Sequence, residues 1–262
     1  MPMRRYVVGM IAGLVGAVAF TGIGSAAVTG VSIESSVTPS KGDKKIRNGV
    51  STFFASNDTH SGFLPCPLGT ANLATCRAYP PSVQSVITFP KSLKFDPGNM
   101  PDCPLSSIVG QSSANARAAC ASSVVGSGSN TQLFSDGRTI NGTITAFNGA
   151  PSGGFPSLYL HFEFPGVATK PILNGIIRGN VLTVQIPPVQ GSVIERFTTT
   201  INKVVSKKTK NKSTGKVKKT FYLSANCSQP KYTVREDVTY QDGTTLATTT
   251  PGKCKQTNSK KK

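Results

Sequence analysis

The stretch Val86–Ser129, VITFPKSLKFDPGNMPDCPLSSIVGQSSANARAACASSVVGSGS, organises the rest of the chain. It opens with a short apolar run that predicts a strand, and it closes with a Gly-rich run that predicts a return strand. Between them, Cys103 and Cys120 bracket a Ser- and Ala-rich segment. Asp102 is a suitable helix cap, and Pro104 is tolerated in a first helical turn. The pattern therefore predicts a short disulfide-stapled helical segment between two strands, with no evident chemistry.

The downstream sequence predicts antiparallel strands joined by tight turns. The run Leu158–Phe164, LYLHFEF, alternates with period two, so its leucines and phenylalanines share one face. Tyr159, His161 and Glu163 share the other face, which we expect to be solvated. Turn signals recur along the chain, at Ser135–Arg138, Arg178–Asn180 and Asp242-Gly243. We predict a mainly β fold, an antiparallel β-sandwich or sandwich-like barrel of roughly ten strands.

The N-terminal residues have the pattern of a secretory signal peptide. Arg4 and Arg5 precede an apolar run over residues 6–20, and small residues follow up to Ala27. That order predicts export, with cleavage after Ala27 or, alternatively, after Ala26. The apolar run is shorter than the ~20 residues that span a bilayer, so no transmembrane segment is predicted. We expect a protein that is secreted or associated with the extracellular cell envelope.

The predicted organisation has four parts. Residues 1–27 are the signal peptide. Residues 28–82 are polar and rich in turn residues, which predicts an irregular N-terminal arm with a disulfide loop. Residues 83–254 carry the strand and turn signals and form the β-sandwich domain. Residues 255–262, KQTNSKKK, form a basic disordered tail.

All six cysteines lie in the part of the chain predicted to be exported. An even count in an oxidising compartment favours three disulfides, although six cysteines allow 15 pairings. Zinc binding is the competing reading, but no C-x-x-C pair occurs and the chain has two histidines, so no metal is predicted. Order along the chain favours neighbouring pairs, namely Cys66–Cys76, Cys103–Cys120 and Cys227–Cys254.

Charge is the most distinctive feature of the composition. The chain has 29 basic and 11 acidic residues, a net charge of +18. Val193–Val205 and Val217–Asn226 resemble the arms of a long hairpin with a lysine-rich, acid-free tip. Such a tip would attract polyanions, with anionic cell-envelope polymers as the candidate partners. The alternative is a solvated loop whose lysines prevent edge pairing. The candidate binding residues are Lys207, Lys208, Lys210, Lys212, Lys216, Lys218 and Lys219.

Sequence-specific recognition of nucleic acid is not predicted for this tip. It contains no arginine, which is the better fork for phosphate. It also contains no aromatic residue for base stacking, and the nearest are Phe221 and Tyr222.

The sequence offers little support for catalysis. His161 and Glu163 share a strand face and could begin a general-base site, so a secreted hydrolase is the alternative reading. Glu236-Asp237 is the only adjacent acidic pair, and it lies in a predicted strand. No G-x-S-x-G elbow, H-E-x-x-H motif or phosphate-binding glycine loop occurs, so neither an enzyme nor a cofactor is predicted.

Six segments together carry a resemblance to a known group of proteins: Phe89–Pro97, Pro101–Cys103, Cys120, Val125–Gly128, Phe147–Gly149 and Tyr240–Thr245. They resemble a group of uncharacterised, secreted β-rich proteins of high-GC Gram-positive bacteria. The resemblance covers most of residues 83–254 and implies a secreted β-rich protein. Its motifs are structural, so it carries over no activity, ligand or catalytic residue. The segment containing Cys66 and Cys76 and the heavy lysine load depart from the group.

Taken together, these features predict a secreted, non-enzymatic structural or binding module with weak affinity for polyanions. A partner site on the β domain itself, with the charge incidental, is a further possibility that the sequence does not separate from the first.

Overall fold

The structure is a computed structural model that describes residues 27–39, 48–61, 79–187, 192–210, 217–226 and 231–254. The protein is mainly β, with 66% strand, as the sequence predicts. The strands are β1 Ala27–Pro39, β2 Asn48–Ser61, β3 Ser82–Thr88, β4 Leu93–Phe95, β5 Val124–Phe134, β6 Thr139–Ser152, β7 Phe155–Glu163, β8 Ile172–Arg178, β9 Val181–Gln185, β10 Ser192–Ile201, β11 Val204–Lys210, β12 Val217–Phe221, β13 Leu223–Ala225, β14 Lys231–Tyr240 and β15 Thr245–Cys254. The helical elements are α1 Ser113–Ala119 and three 3₁₀ turns, Pro97–Asn99, Leu105–Ser107 and Ala121–Ser123.

One large sheet curls into a nearly closed barrel. Its strand order is β1-β15-β14-β3-β9-β8-β7-β6-β5-β10-β2, and β1 also pairs with β2, which brings the two ends together. Neighbouring strands are antiparallel except β1 and β15, whose short parallel pairing joins Val37 to Cys254. The short strands β13 and β4 extend the sheet from the start of β2.

The barrel is filled by side chains rather than hollow, which gives it the character of a sandwich. Phe54 of β2 contacts Phe89, which follows β3, with ring centroids 6.5 Å apart. Phe162 of β7 contacts Phe197 of β10 at 6.3 Å. These pairs join strands that are not neighbours in the sheet, so opposite walls pack across the interior.

The stapled segment covers one outer face of the sheet. Cys103 and Cys120 are disulfide-bonded, as predicted, and both are buried. Ile108 and the helix residue Ala116 are fully buried with them, against Phe147 and Tyr159 of the sheet. The Tyr159 face of β7 is therefore buried rather than solvated, which corrects the expectation of a wet face.

The segment's helix is set by a different cap from the one predicted. Ser112 is the N-cap of α1, and its Oγ accepts a hydrogen bond from the Asn115 backbone N–H at 3.2 Å. Asp102 does not cap a helix. Its Oδ1 accepts a hydrogen bond of 2.9 Å from Asn148 Nδ2 instead.

Tight turns connect the antiparallel pairs where the sequence predicts them. In the turn between β5 and β6, Asp136 Oδ1 accepts a hydrogen bond from the Arg138 backbone N–H, and Gly137 has φ 87°. In the turn between β14 and β15, Asp242 Oδ1 accepts one from the Thr244 backbone N–H, and Gly243 has φ 86°. Both glycines occupy the left-handed region that other residues avoid.

The N-terminal part is more regular than expected. β1 and β2 are long strands that pair with each other from Ala27↔Ser61 to Pro39↔Val50 and close the barrel. The expectation of an irregular arm is therefore wrong for residues 28–39 and 48–61. Their inward side chains, including Ile33, Val37 and Phe54, join the main core. The expected disulfide loop of Cys66 and Cys76 lies outside the described residues.

The expected long hairpin is also divided. β10 pairs with β5 and with residues 52–57 of β2, whereas β13 pairs with β4 and with residues 48–49 of β2. These two segments therefore do not pair with each other. Only β11 and β12 pair with each other, as a separate two-stranded sheet. Alternation within a segment shows that it is extended but leaves its partner open, which is why the arms looked continuous.

Candidate functional site

The lysine hairpin, Val204–Phe221, is the first candidate site. Its backbone pairs from Val204↔Phe221 to Lys210↔Val217, with an irregularity between Val205 and Thr209. The Tyr222 backbone N–H donates to the Lys203 carbonyl at 3.4 Å, which ties the hairpin base. Five of the predicted lysines lie on its two strands, at positions 207, 208, 210, 218 and 219. Lys212 and Lys216 fall outside the described residues.

The face of β7 that carries His161 is closed by the stapled segment. His161 is fully buried, and its Nε2 lies 2.9 Å from the Gln111 carbonyl oxygen, so Nε2 carries the proton and donates. Its Nδ1 is buried and has no hydrogen-bond partner among the described residues. Burial lowers the pKa of His161, which keeps the ring neutral. The ring acts as a buried hydrogen-bond donor beneath the segment.

Glu163 has a structural partner at the start of α1. Its Oε2 accepts a hydrogen bond of 2.8 Å from the Ser113 backbone N–H, and this bond is the main reason that the pKa of Glu163 is lowered. Lys170 Nζ lies 3.8 Å from Oε1. The hydrolase hypothesis requires an open concave site above His161 and Glu163. That position is occupied by residues 111–113, so the geometry does not favour it.

The disulfides are seen in part. Cys103 and Cys120 are bonded, with an S–S distance of 2.00 Å. Cys254 is also disulfide-bonded. Cys66, Cys76 and Cys227 lie outside the described residues, so the pairings that involve them stay predictions.

A pair of acidic residues inside the barrel forms a site that the sequence did not reveal. Glu236 of β14 is 2% exposed. Ser56 Oγ of β2 donates to its Oε2 at 2.7 Å, and Ser85 Oγ of β3 donates to its Oε1 at 2.6 Å. Because β2 is not a neighbour of β14 in the sheet, Glu236 links opposite walls of the barrel. Burial raises the pKa of Glu236, and the two hydroxyl donors oppose that effect.

Asp58 of β2 is the second acid. Burial raises its pKa from 3.8 to about 7, and the charge of Glu236 adds to the increase. The hydroxyl of Tyr240 faces Asp58 and lowers its pKa somewhat, but it has no well-aligned partner within the described part of the chain. Burial, followed by the charge of Asp58, raises the pKa of Tyr240. The pKa of Asp58 therefore lies near neutral pH.

The alternation of β14 carried a signal for this site. Val234, Glu236, Val238 and Tyr240 occupy alternate positions and are all buried, whereas Asp237 points outward and pairs with Arg235. An acid in register with buried apolar residues predicts a buried acid. No local pattern, however, places Asp58 or Ser56 beside it.

Comparison with known proteins finds no match to the chain among family models, curated proteins or solved structures. In the described ranges, no group of three or more His, Cys, Asp or Glu side chains is arranged to hold a metal ion. None of the helices described here is long and apolar enough to cross a membrane. Function is therefore inferred from the geometry of the lysine hairpin and the barrel interior.

Proposed function

We propose that the protein is a secreted, non-enzymatic binding module that associates with anionic polymers of the cell envelope through its lysine hairpin. The observation that carries this proposal is the separation of β11 and β12 from the main sheet. A lysine-rich segment within the barrel wall would have half its residues turned toward the core. Because β11 and β12 pair only with each other, the lysines at positions 207, 208, 210, 218 and 219 belong to no strand of the barrel wall.

The distribution of acids supports the same proposal. No acid occurs between Glu195 and Glu236, a stretch that contains the whole lysine hairpin. Elsewhere, Asp136 and Asp237 are paired with Arg138 and Arg235. Asp58 lies inside the barrel and its pKa is raised to about 7, so part of its formal negative charge is absent near neutral pH. The positive field of the hairpin is therefore poorly compensated along the chain.

Lysine determines what kind of binding to expect. Its ammonium group is a hydrated point charge and not a planar fork, so it attracts phosphate or carboxylate polymers without selecting one geometry. Binding of this kind releases counterions and weakens steeply as salt rises. We expect retention on an anionic surface rather than recognition of one small epitope.

Retention of the purified protein on isolated bacterial envelopes, from about 50 mM to about 500 mM salt, tests the proposal. The test variant replaces Lys208, Lys210 and Lys218 with Ser. The control replaces Lys91, Lys94 and Lys231 with Ser, three exposed lysines outside the hairpin. Both variants lose the same charge, so only their positions differ.

Steep loss of retention with salt, together with weaker retention of the hairpin variant than of the control, is the expected result. If the two variants lose retention equally, net charge causes the binding and the hairpin has no special role. Retention that does not respond to salt would point to a specific site on the barrel. No retention at any salt would overturn envelope association.

A further inference from the structure

The barrel contains a cavity of about 80 Å³ between its opposing walls, and the surface of this cavity is almost wholly apolar. The two interior acids that reach it are already engaged within the protein. Both carboxylate oxygens of Glu236 accept hydrogen bonds, from Ser56 and Ser85. Asp58 lies against the hydroxyl of Tyr240. The wall that remains for a ligand is hydrocarbon, which does not favour a charged occupant.

The pairing of β2 with β10 orders one wall of the cavity. Residues 52, 54, 56 and 58 of β2 all line it, at alternate positions of the strand. Phe54 lies opposite Thr199 of β10, and Ser56 lies opposite Phe197, and both of these β10 residues also line the cavity. Six residues of extended strand span about 20 Å, so the lining of the cavity runs along the strands.

Strands β3 and β9 form the opposite wall. Ile87 of β3 lies opposite Leu182 of β9, and Ser85 lies opposite Val184. All four residues line the cavity. On its other side, Val184 lies opposite Gly175 of β8. Glycine has no side chain, so there is lateral space beside Val184.

One part of the cavity reaches the end of the barrel. Ser82 begins β3, Ile186 follows β9 and Ile194 lies near the start of β10, and all three line the cavity. They also line a smaller cavity of about 20 Å³, together with Pro81 and Pro187 of the connecting segments. Ile186 and Ile194 are partly exposed. The interior is therefore closest to solvent where these strands begin and end.

Apolar surface inside the barrel is left uncovered. The ring of Phe197 lies 6.5 Å from that of Phe54 and 6.3 Å from that of Phe162, and its strand is flanked by β2 and β5. Phe197 is nevertheless only partly buried, and it lines the cavity. Apolar surface beside an empty cavity lacks van der Waals partners, so a hydrocarbon group placed there would gain contacts.

We propose that the barrel interior binds an unbranched alkyl group of about three or four carbons, held between Phe54 and Phe197 on one wall and Val184 on the other. Apolar cavities of ~150 Å³ take up benzene, and this cavity is about half as large. Its lining follows the strands, which suits a linear group better than a ring. None of the described lining residues belongs to the lysine hairpin, so this site does not depend on the proposed binding to envelope polymers.

The experiment titrates straight-chain 1-alkanols, from ethanol to 1-octanol, into the purified, disulfide-intact protein and follows the NMR shifts of its methyl groups. Each methylene that leaves water for an apolar site strengthens binding about fourfold. We expect the Kd to fall by this factor for each added carbon up to 1-butanol and to reach about 1–10 mM. 1,4-Butanediol has the same carbon chain, but its second hydroxyl would lose its hydrogen bonds with water, so we expect it to bind at least about tenfold more weakly.

Two substitutions on β9 locate the binding. Val184→Phe fills the cavity, and we expect it to weaken 1-butanol at least about tenfold. Thr183→Phe adds the same ring at the adjacent position, which is partly exposed and on the other face of the strand, and is expected to leave binding unchanged. Val184→Leu adds a single methylene and is the test variant if Val184→Phe does not fold, with an expected weakening of about fourfold.

The longer alkanols distinguish two sources of the alkyl group. Affinity that levels off beyond 1-butanol would mean that the rest of a longer chain stays outside the barrel, as it would for the end of a lipid chain. Affinity that falls beyond 1-butanol would restrict the site to free small molecules. Both results support a hydrocarbon site of the proposed size.

Three results would overturn the proposal. Affinity that does not change between ethanol and 1-butanol would show that the alkyl group is not what the protein binds. Affinity that keeps rising to 1-octanol would refute the size assigned to the group. Equal weakening by Val184→Phe and Thr183→Phe would place the binding outside the cavity.

Discussion

Replacing Asp58 with Asn should change how the stability of the protein depends on pH. Burial raises the pKa of Asp58 from 3.8 to about 7 in the folded state. The unfolded chain has an ordinary value near 3.9. An acid whose folded pKa is raised contributes stability that is fully present below about pH 4 and is lost as pH rises through about 7. The wild-type protein should therefore lose stability as pH rises through this window. Asp58→Asn should lack the part of that loss that comes from the Asp58 carboxyl.

The magnitude follows from the size of the shift. About three pH units correspond to at most about 4 kcal/mol, at 1.36 kcal/mol for each unit. Asp58 is partly exposed, so solvent screening reduces this figure, and we expect about 2–3 kcal/mol. For a chain of this size, that difference corresponds to roughly 5–10 °C in Tm. The difference in unfolding free energy between Asp58→Asn and wild type should therefore favour the variant by about 2–3 kcal/mol more at pH 8 than at pH 4.

Thermal unfolding followed by circular dichroism, without reductant and at intervals between about pH 4 and pH 8, measures this difference. Glu236 has a raised pKa and adds to the decline in both proteins. His60 and His161 have lowered pKa values and act oppositely, because the stability that they contribute is lost as pH falls. Comparison with wild type cancels the contributions of the two histidines, and Asp242→Asn is an exposed control. Parallel curves for wild type and Asp58→Asn would refute the argument that Asp58 is a buried acid.

Two further predictions test the stapled segment and the packing of β5 against β10. Replacing both Cys103 and Cys120 with Ser should lower the free energy of unfolding by about 3 kcal/mol, which is the chain-entropy value for a loop of this length. Denaturant melts of wild type and variant measure this loss. A loss under about 0.5 kcal/mol would show that packing against Phe147 and Tyr159 holds the segment without the bond. Gly128→Ala should destabilise the protein by about 1–3 kcal/mol, because its Cβ would overlap the Thr198 carbonyl of β10. The control Gly98→Ala meets nothing within 4 Å and should be close to neutral in the same melts. Equal stability of the two variants would contradict the close approach of β5 and β10.

Several parts of the fold could be predicted because they depend on short-range patterns. The turns at Asp136-Gly137 and Asp242-Gly243 combine a side-chain acceptor with a glycine in the left-handed region, and both features are local. The Cys103–Cys120 bond joins residues that are close in sequence. The alternation in β7 and β14 likewise reports only on the residues within one strand.

Other parts could not be predicted, because they depend on which strands become neighbours. Residues 27–39 and 48–61 look weakly apolar, yet they become β1 and β2 because they pair with each other along their length and β2 also pairs with β10. The alternation of β7 predicts a polar face around His161, but residues 103–120 cover that face. In both cases, the deciding contacts come from distant segments.

The sequence by itself indicated that this protein is built from antiparallel strands, favoured a Cys103–Cys120 bond, and determined that its charge is strongly positive. Only the tertiary structure decided that the barrel closes through β1, that the lysine hairpin stands apart as its own sheet, and that Asp58 and Glu236 share one interior. The physical reason is the separation along the chain over which each interaction acts. Side-chain period and turn chemistry act over a few residues, whereas Ser56 and Glu236 meet across 180 residues of chain.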